Sequence, residues 1–433
     1  MSFHLSPDQA IAIDGICKAL LPMSVQPEAH ALAVLTGSAG TGKTTVVSEI
    51  LMQIRNHPVP VNVVLAATTH RAAAVMKDIV GQRVSTGHAL FKLKPGVTKF
   101  GQHTLKSSGI CDIPEGSIVI FDEASMIGNQ FLTAIVDIIK KRQLKMLFVG
   151  DPFQLPPPTD ICSLFDGSLP TFTLTQVHRQ AGGNPILEKA NQYREYIEGT
   201  RKLEPVLETD LNSKGEGIHV LGHSDFVSYF VKKYVNYTAG AEVDTPLCTF
   251  TNESAINYNT MVRKAAYFLE NTIEPFYPGE RLIANSIVMD GNRPVLTNNE
   301  AVLVKSYKEG EFWGIPGYDI TVLGDFDNFK QSDVKKVFVA KTKAAADKVL
   351  NSYKADAIAS KSSQGWVAFY ELKQALADLR PPFAGTTHKA QGGTFPSVFI
   401  DRLNINKCRD SIIRARLLYV ALTRASKNVY INS

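Results

Sequence analysis

The residues Gly37, Ser38, Ala39, Gly40, Thr41, Gly42, Lys43 and Thr44, followed by Thr45, fit the spacing G-x-x-x-x-G-K-[ST]. An apolar run at 31–35 precedes them, and residues 45–54 carry apolar side chains at helical spacing. Strand, glycine-rich loop and helix is the arrangement in which backbone N–H groups and a helix N-terminus cradle phosphates. Lys43 then reaches the β- and γ-phosphates, and the Thr44 hydroxyl ligates Mg2+. A further apolar run, 117–121, ends in Asp122 and Glu123. A carboxylate pair at a strand end suits metal holding by Asp122 and activation of a water by Glu123 as general base. The two motifs together imply a magnesium-bound nucleotide.

Other polar groups stand where strands should end. The run 61–66 leads to Thr69, His70 and Arg71, and the run 146–149 leads to Gly150, Asp151, Pro152, Phe153 and Gln154. Ligand-facing loops of an open α/β sheet leave the carboxyl ends of strands. Thr69 and His70 are therefore placed to meet a ligand, or else only cap a helix. The Gln154 amide can orient a water or touch a γ-phosphate. Arg179 is a phosphate clamp or a surface charge. Ser6 and Pro7 mark the start of a helix over 10–20. Gln9, in its first turn, is either solvated or an adenine reader, because an amide donates and accepts along one base edge. Residues 84–112 break the αβ rhythm with His88, Phe91, Lys92, Lys94, Pro95, Lys99, Phe100, His103 and Lys106. This basic, aromatic stretch, with a turn at Pro95-Gly96, reads as a small hairpin compatible with nucleic acid or as a decorated surface loop.

These groups must be held by more than one core, since 433 residues imply two to four domains. The net charge of +5 permits a polyanionic partner without demanding one. Cys17, Cys111, Cys162, Cys248 and Cys408 are odd in number and never in C-x-x-C, which favours reduced thiols over a zinc site. Neither a signal peptide nor a bilayer-long apolar run is expected, so a cytoplasmic setting is. The αβ pattern resumes with a strand at 246–250 and a helix at 255–269. Short β-type runs at 281–287, 301–306, 320–323 and 337–340 and a helical stretch at 342–379 interrupt it. It returns near Gly385, with strands at 397–400 and 428–431 about a helix at 414–423. An insertion between two halves of one sheet explains this order, and the β runs suggest a small antiparallel barrel.

The motifs also have a familiar order. Residues 5–9, Gly37 to Thr44, 66–72, 85–88, 122–125, Gly150 to Pro156 and 177–179 are followed by Phe250-Thr251-Asn252. Thr387-His388-Lys389-Ala390-Gln391-Gly392 and Tyr419-Val420-Ala421-Leu422-Thr423-Arg424-Ala425 come last, and the final string is the most specific. Over essentially its whole length the chain resembles the superfamily 1B DNA helicases, in their Dda-like and RecD-like branch.

The resemblance implies an α/β fold of two RecA-like P-loop domains with parallel sheets and ATP between them. On this basis the first comprises 1–88 and 112–205, with a pin insertion at 89–111. The second comprises 206–275 and 384–433, with an SH3-like barrel and helical extension at 276–383. Arg179 and Arg424 would be arginine fingers, Gln154 the coupler of γ-phosphate to DNA, and Gln9, Gln391 and Gly392 further nucleotide contacts. Thr69, His70, His88, Thr387, His388 and Lys389 would line the DNA with Phe91, Pro95 and Phe100 of the pin, Phe100 acting as wedge. The implied activity is ATP- and Mg2+-dependent movement along single-stranded DNA, 5′ to 3′, with duplex unwinding. The alternative is a DNA-stimulated ATPase that displaces bound proteins but unwinds little. Single-stranded and fork DNA, with single-strand-binding or recombination proteins, would be partners of a monomer acting in the cytoplasm, that of the host if phage-encoded.

Overall fold

Apolar runs without alternation make strands buried on both faces, which is what a parallel sheet between helices requires. The computed structural model of the chain describes residues 5–21, 31–97, 103–157, 160–176, 184–238, 240–267, 274–291, 293–324, 334–360 and 363–433. It opens with α1 (Pro7–Leu20), for which Ser6 is the N-cap and Pro7 the first helical residue. Then come β1 (Leu32–Gly37), α2 (Lys43–Arg55), β2 (Val63–Ala67), α3 (His70–Val80), β3 (Val84–Thr86) and the one-turn α4 (Gly87–Leu90). β4 (Leu93–Val97) and β5 (His103–Ser107) form an antiparallel hairpin. β6 (Ile118–Asp122), α5 (Asn129–Lys141), β7 (Lys145–Gly150) and β8 (Thr171–Leu174) follow. The first sheet runs β3-β2-β6-β7-β1-β8, with every neighbouring pair parallel. Its carboxyl edge therefore collects Gly37, Ala67, Asp122 and Gly150, the last residues of four strands.

The second half contains α6 (Pro185–Glu198), β9 (Asp210–Leu211), β10 (Gly217–Leu221), α7 (His223–Lys232), β11 (Leu247–Thr249) and α8 (Asn252–Ala266). The insertion follows as β12 (Arg281–Ala284), β13 (Val288–Asp290), β14 (Arg293–Leu296), β15 (Ala301–Phe312), β16 (Ile315–Leu323), β17 (Val334–Ala340), α9 (Lys343–Ser360), α10 (Ser363–Ala375) and β18 (Leu379–Arg380). The chain closes with β19 (Ala384–Thr386), the one-turn α11 (Thr387–Ala390), β20 (Phe395–Ile400), the one-turn α12 (Arg402–Ile405), α13 (Ser411–Thr423) and β21 (Ala425–Asn432). The second sheet runs β19-β11-β20-β21-β10-β9 and is parallel except for β9. β19 pairs directly with β11, so the insertion leaves and rejoins the sheet at neighbouring strands.

Two features depart from the expected boundaries. α6 was placed in the first half, before residue 205. Its Ile186, Ala190 and Tyr193 instead pack with Ile218, Val398, Leu418 and Val429 of the second core, because its apolar face is covered by α13. The insertion's strands also run longer than their apolar stretches. The five-stranded antiparallel sheet β17-β16-β15-β12-β18 shares a core with the β13–β14 hairpin. β15 and β16 continue past that core as a ribbon to a turn at Trp313 and Gly314, both with left-handed backbone (φ 53° and 73°). Residues 307–311 read as polar because much of the ribbon faces solvent. No helix among the described residues is long and apolar enough to cross a membrane.

At the neck of the insertion Arg263 of α8 donates to both oxygens of Glu280, at 2.6 and 2.9 Å, and Glu280 is only 2% exposed. Removing one partner of a buried pair leaves an uncompensated charge. Arg263→Met should therefore cost about 3–5 kcal/mol, whereas Arg263→Met with Glu280→Met should recover most of it. Urea melts of both variants check this, and equal losses would show that the pair contributes by packing alone. Asp8 generates a pH-dependent expectation. Its carboxylate accepts the backbone N–H groups of Gln9, Thr175 and Gln176 at 2.9, 2.8 and 3.0 Å, tying α1 to the segment after β8. Against a desolvation that raises it, hydrogen bonds from Ser6, Gln176, Thr175 and Gln9 hold this carboxyl well below its usual range. A depressed carboxyl stabilises above its unfolded pKa, and that contribution is lost as pH falls. Asp8→Asn should cost about 1 kcal/mol at pH 7, limited by solvent screening. The difference should shrink below about pH 4 in melts across the acid range.

Candidate nucleotide and strand-binding site

β1 delivers the glycine-rich loop at its carboxyl end, and α2 begins at Lys43. Gly40 and Gly42 have φ of 85° and 82°, conformations that a side chain disfavours, and a Cβ on Gly42 would lie 2.4 Å from Gln9 Nε2. Thr41 Oγ1 donates to Ser38 O at 2.9 Å, closing the loop. Lys43 Nζ donates to the carbonyls of Gly37 and Ser38 at 2.7 and 3.0 Å, so its ammonium lies over its own loop. Ala39, Thr44 and Thr45 are half-buried along the same turn. Gln9 is 4% exposed, which removes the solvated reading. Its Oε1 accepts Ser6 N at 3.1 Å and its Nε2 donates to Thr41 O at 3.0 Å, so the amide is held against the glycine-rich loop. Ser38 Oγ, Ser125 Oγ and Gln391 Oε1 are buried with no hydrogen-bond partner among the described residues. Orphaned polar atoms of this kind are costly and fit a site that receives a polar ligand.

β6 places Asp122 beside Ala67 of β2. Glu123 follows in a left-handed conformation, φ 52°, uncommon for a residue with a side chain. Its N–H donates to Asp122 Oδ1 at 2.8 Å, and its carbonyl accepts the Thr68 hydroxyl at 3.3 Å. Burial pushes both carboxyls up. Asp122 raises Glu123 further, while Arg424 and Lys43 pull it down. Such a pair favours nearby positive charge, and Asp122 with the Thr44 hydroxyl is the donor set that could hold Mg2+.

The loop after β7 crosses into the second half. Leu155 is fully buried in that half's core. Asp151, also fully buried, accepts Tyr419 OH on Oδ2 at 2.6 Å and Phe153 N on Oδ1 at 3.0 Å. Arg416 Nη1 donates to Pro152 O and Gln154 O, both at 2.6 Å. The Arg194 guanidinium lies 5.9 Å from the Phe153 ring centroid. Gln391 Nε2 reaches Gln154 Oε1 at 3.4 Å and Leu155 O at 3.3 Å. Arg424, 6% exposed at the C-cap of α13, donates to Val420 O and Gly393 O, each at 3.2 Å. Sequence reading assigned no role to Asp151, Arg194, Arg416 or Tyr419. The three-residue spacing of Arg416 and Tyr419, one helical face, was the available signal.

The expected strand-contacting residues divide. Thr69 Oγ1 accepts Ala72 N at 3.1 Å as the N-cap of α3, and His70 is exposed beside it. His88 is exposed, with its ring 5.1 Å from Phe131. His388 is half-buried, and burial holds its imidazole toward the neutral form. Gly392 (φ 76°) lies against Ala72, whose Cβ is 3.4 Å from where its own would be, so the two halves meet there. Three expectations are corrected. Phe91 is 1% exposed and packs edge-on against Phe131, so it is core and cannot stack a base. Thr387 is fully buried and its hydroxyl donates to Thr249 O at 3.1 Å, leaving none for a phosphate. Lys389 Nζ donates to the backbone oxygen of Asn285 at 2.9 Å and to its side-chain oxygen. Burial, with Arg380 nearby, lowers it to about 8, so it anchors the insertion rather than presenting a free charge. Pro95 lies in β4 opposite Leu105. Phe100 and Arg179 lie outside the described residues.

Residues 5–205 match the AAA domain family and residues 382–432 the UvrD-like helicase C-terminal domain. The chain is 24% identical, over an aligned length of 440, to the ATP-dependent DNA helicase dda of Enterobacteria phage T4, covering 92% of this chain and 93% of that one. It is 31% identical over 189 residues to the ATP-dependent RecD2 DNA helicase of Deinococcus radiodurans, covering 43% and 23% respectively. Among solved structures, the Pif1 helicase from Bacteroides in complex with ADP-AlF3 and ssDNA superposes with a TM-score of 0.51 at 15% identity, covering 100% of this chain and 93% of that one. At that identity the likeness concerns the fold.

Proposed function

We propose that the chain is a superfamily 1B helicase that uses ATP to move along single-stranded DNA, 5′ to 3′, and to unwind the duplex ahead. The observation that carries this reading is the cleft between the halves. The glycine-rich loop, Asp122 and Glu123 come from one side, Arg424 from the other, and Gln154 stands in a loop clasped by both.

In this reading the triphosphate takes over the Lys43 ammonium from the carbonyls of Gly37 and Ser38, and the Ser38 hydroxyl gains a partner. Thr44 and Asp122 would hold Mg2+, which would supply neutralisation of phosphate charge. Glu123 accepts a proton from the attacking water, and Arg424 stabilises charge on the transferred phosphoryl group. Arg179 is a second finger, and Gln9 reads the base with its side-chain amide. Binding favours the closed arrangement and hydrolysis releases it, a two-state shift that each cycle converts into a step. The strand lies over the carboxyl edges of both sheets, where His70 of α3 and His388 of α11 stand. Backbone contacts and stacking make its grip insensitive to sequence. Single-stranded and forked DNA are the partners of this monomer, which acts in the cytoplasm.

Glu123→Gln should retain binding of a fluorescent ATP analogue and lose turnover, while Lys43→Ala should lose both. Near-normal turnover in Glu123→Gln would remove Glu123 from the role of base. Hydrolysis that depends on closure should be slow alone and strongly stimulated by oligonucleotides, and a change below about twofold would reject the closure model. Matched duplexes carrying a 5′ or a 3′ single-stranded tail test direction, with unwinding expected only from the 5′ tail. Stimulated hydrolysis without strand separation would leave a translocating ATPase.

A further inference from the structure

The loop that carries Gln154 is neither strand nor helix, and its conformation is set from the opposite half of the molecule. Arg416 Nη1 has two hydrogens and directs them to two carbonyls, Pro152 O and Gln154 O, at 2.6 Å each. One turn along α13, Tyr419 OH holds Asp151 Oδ2 at 2.6 Å, and the other oxygen of Asp151 fixes Phe153 N. The main chain from 151 to 154 thus cannot rotate without breaking a charge-assisted bond shared by two carbonyls. The same 13-residue helix presents Arg424 at its C-cap, eight positions beyond Arg416. A displacement of α13 carries the Arg424 guanidinium and the Gln154 backbone together.

We propose that Arg416 is the positioning residue that couples Gln154 to Arg424, so that both reach the γ-phosphate in one closed state. This rests on the ATP-hydrolysing reading above. It also assigns the clamp a purpose beyond packing. Packing alone would need only the apolar stem of Arg416, whereas coupling needs the two hydrogen bonds to the main chain on either side of Phe153.

The test uses the full chain with Arg416→Met, Arg416→Lys and Tyr419→Phe. Turnover is measured with and without a saturating oligothymidine, alongside binding of a fluorescent ATP analogue and of labelled oligothymidine. Arg416→Met should lower DNA-stimulated kcat about tenfold or more, while KM and both dissociation constants stay within about threefold. Arg416→Lys should recover part of the rate, because an ammonium keeps the charge but not the planar reach. Tyr419→Phe should show a smaller loss of the same kind. Stimulated kcat within about twofold of wild type in Arg416→Met overturns the proposal. So does a parallel loss of nucleotide binding and kcat in a variant that melts normally. If Arg416→Met melts early, the other two substitutions carry the comparison at native stability, and unchanged kcat in both overturns it. Wild-type protein without DNA-stimulated turnover would instead sink the helicase reading, and that outcome is visible before any variant is made.

Discussion

The rest of the structure depends on the passage of one short loop from the first half into the second. Gly150 ends β7, and within five residues Leu155 is fully buried in the opposite core. Between them Asp151 is wholly buried, where an unpaired carboxylate would be untenable. The Tyr419 hydroxyl and the Phe153 N–H meet it, and Arg416 satisfies the two carbonyls that follow. Apolar burial supplies the attraction and the polar contacts fix the register. The loop therefore joins the first half to α13 of the second.

The chemical groups in that cleft are held in costly arrangements. Two adjacent carboxyls are half-buried, one of them on a left-handed backbone. Lys43 is turned onto carbonyls of its own loop, and buried hydroxyl and amide oxygens of Ser38, Ser125 and Gln391 lack partners among the described residues. Each is unfavourable alone. Together they fit a site that receives a polar ligand.

The insertion is fastened to the second half at two places. Arg263 and Glu280 lock its entry, while Lys389, Asn285, Asp378, Arg380 and Asn252 form a polar chain at its exit. The exit chain starts in the same turn that brings Gln391 to Gln154 and Gly393 to Arg424. The insertion is thereby tied to the turn that holds Gln391, and Lys389 makes that tie with Asn285.

What contiguous residues encode was legible in the sequence. The glycine spacing, the Asp122-Glu123 strand end, the Ser6-Pro7 helix start, the apolar runs of parallel strands and the return of the sheet near Gly385 all depend on local sterics and local hydrogen bonds. What only the tertiary structure decided is the direction in which side chains point. Phe91 in a basic stretch has one composition whether it stacks on a base or packs on Phe131. Thr387 and Lys389 keep their donor chemistry whether they meet phosphate or Thr249 and Asn285. α6 is amphipathic whichever core it meets, and its apolar face packs with that of the second sheet. The clasp on Asp151 and Gln154 joins residues more than 260 positions apart. No local pattern specifies such a contact, because its energy comes from desolvation and pairing that exist only once both halves have folded.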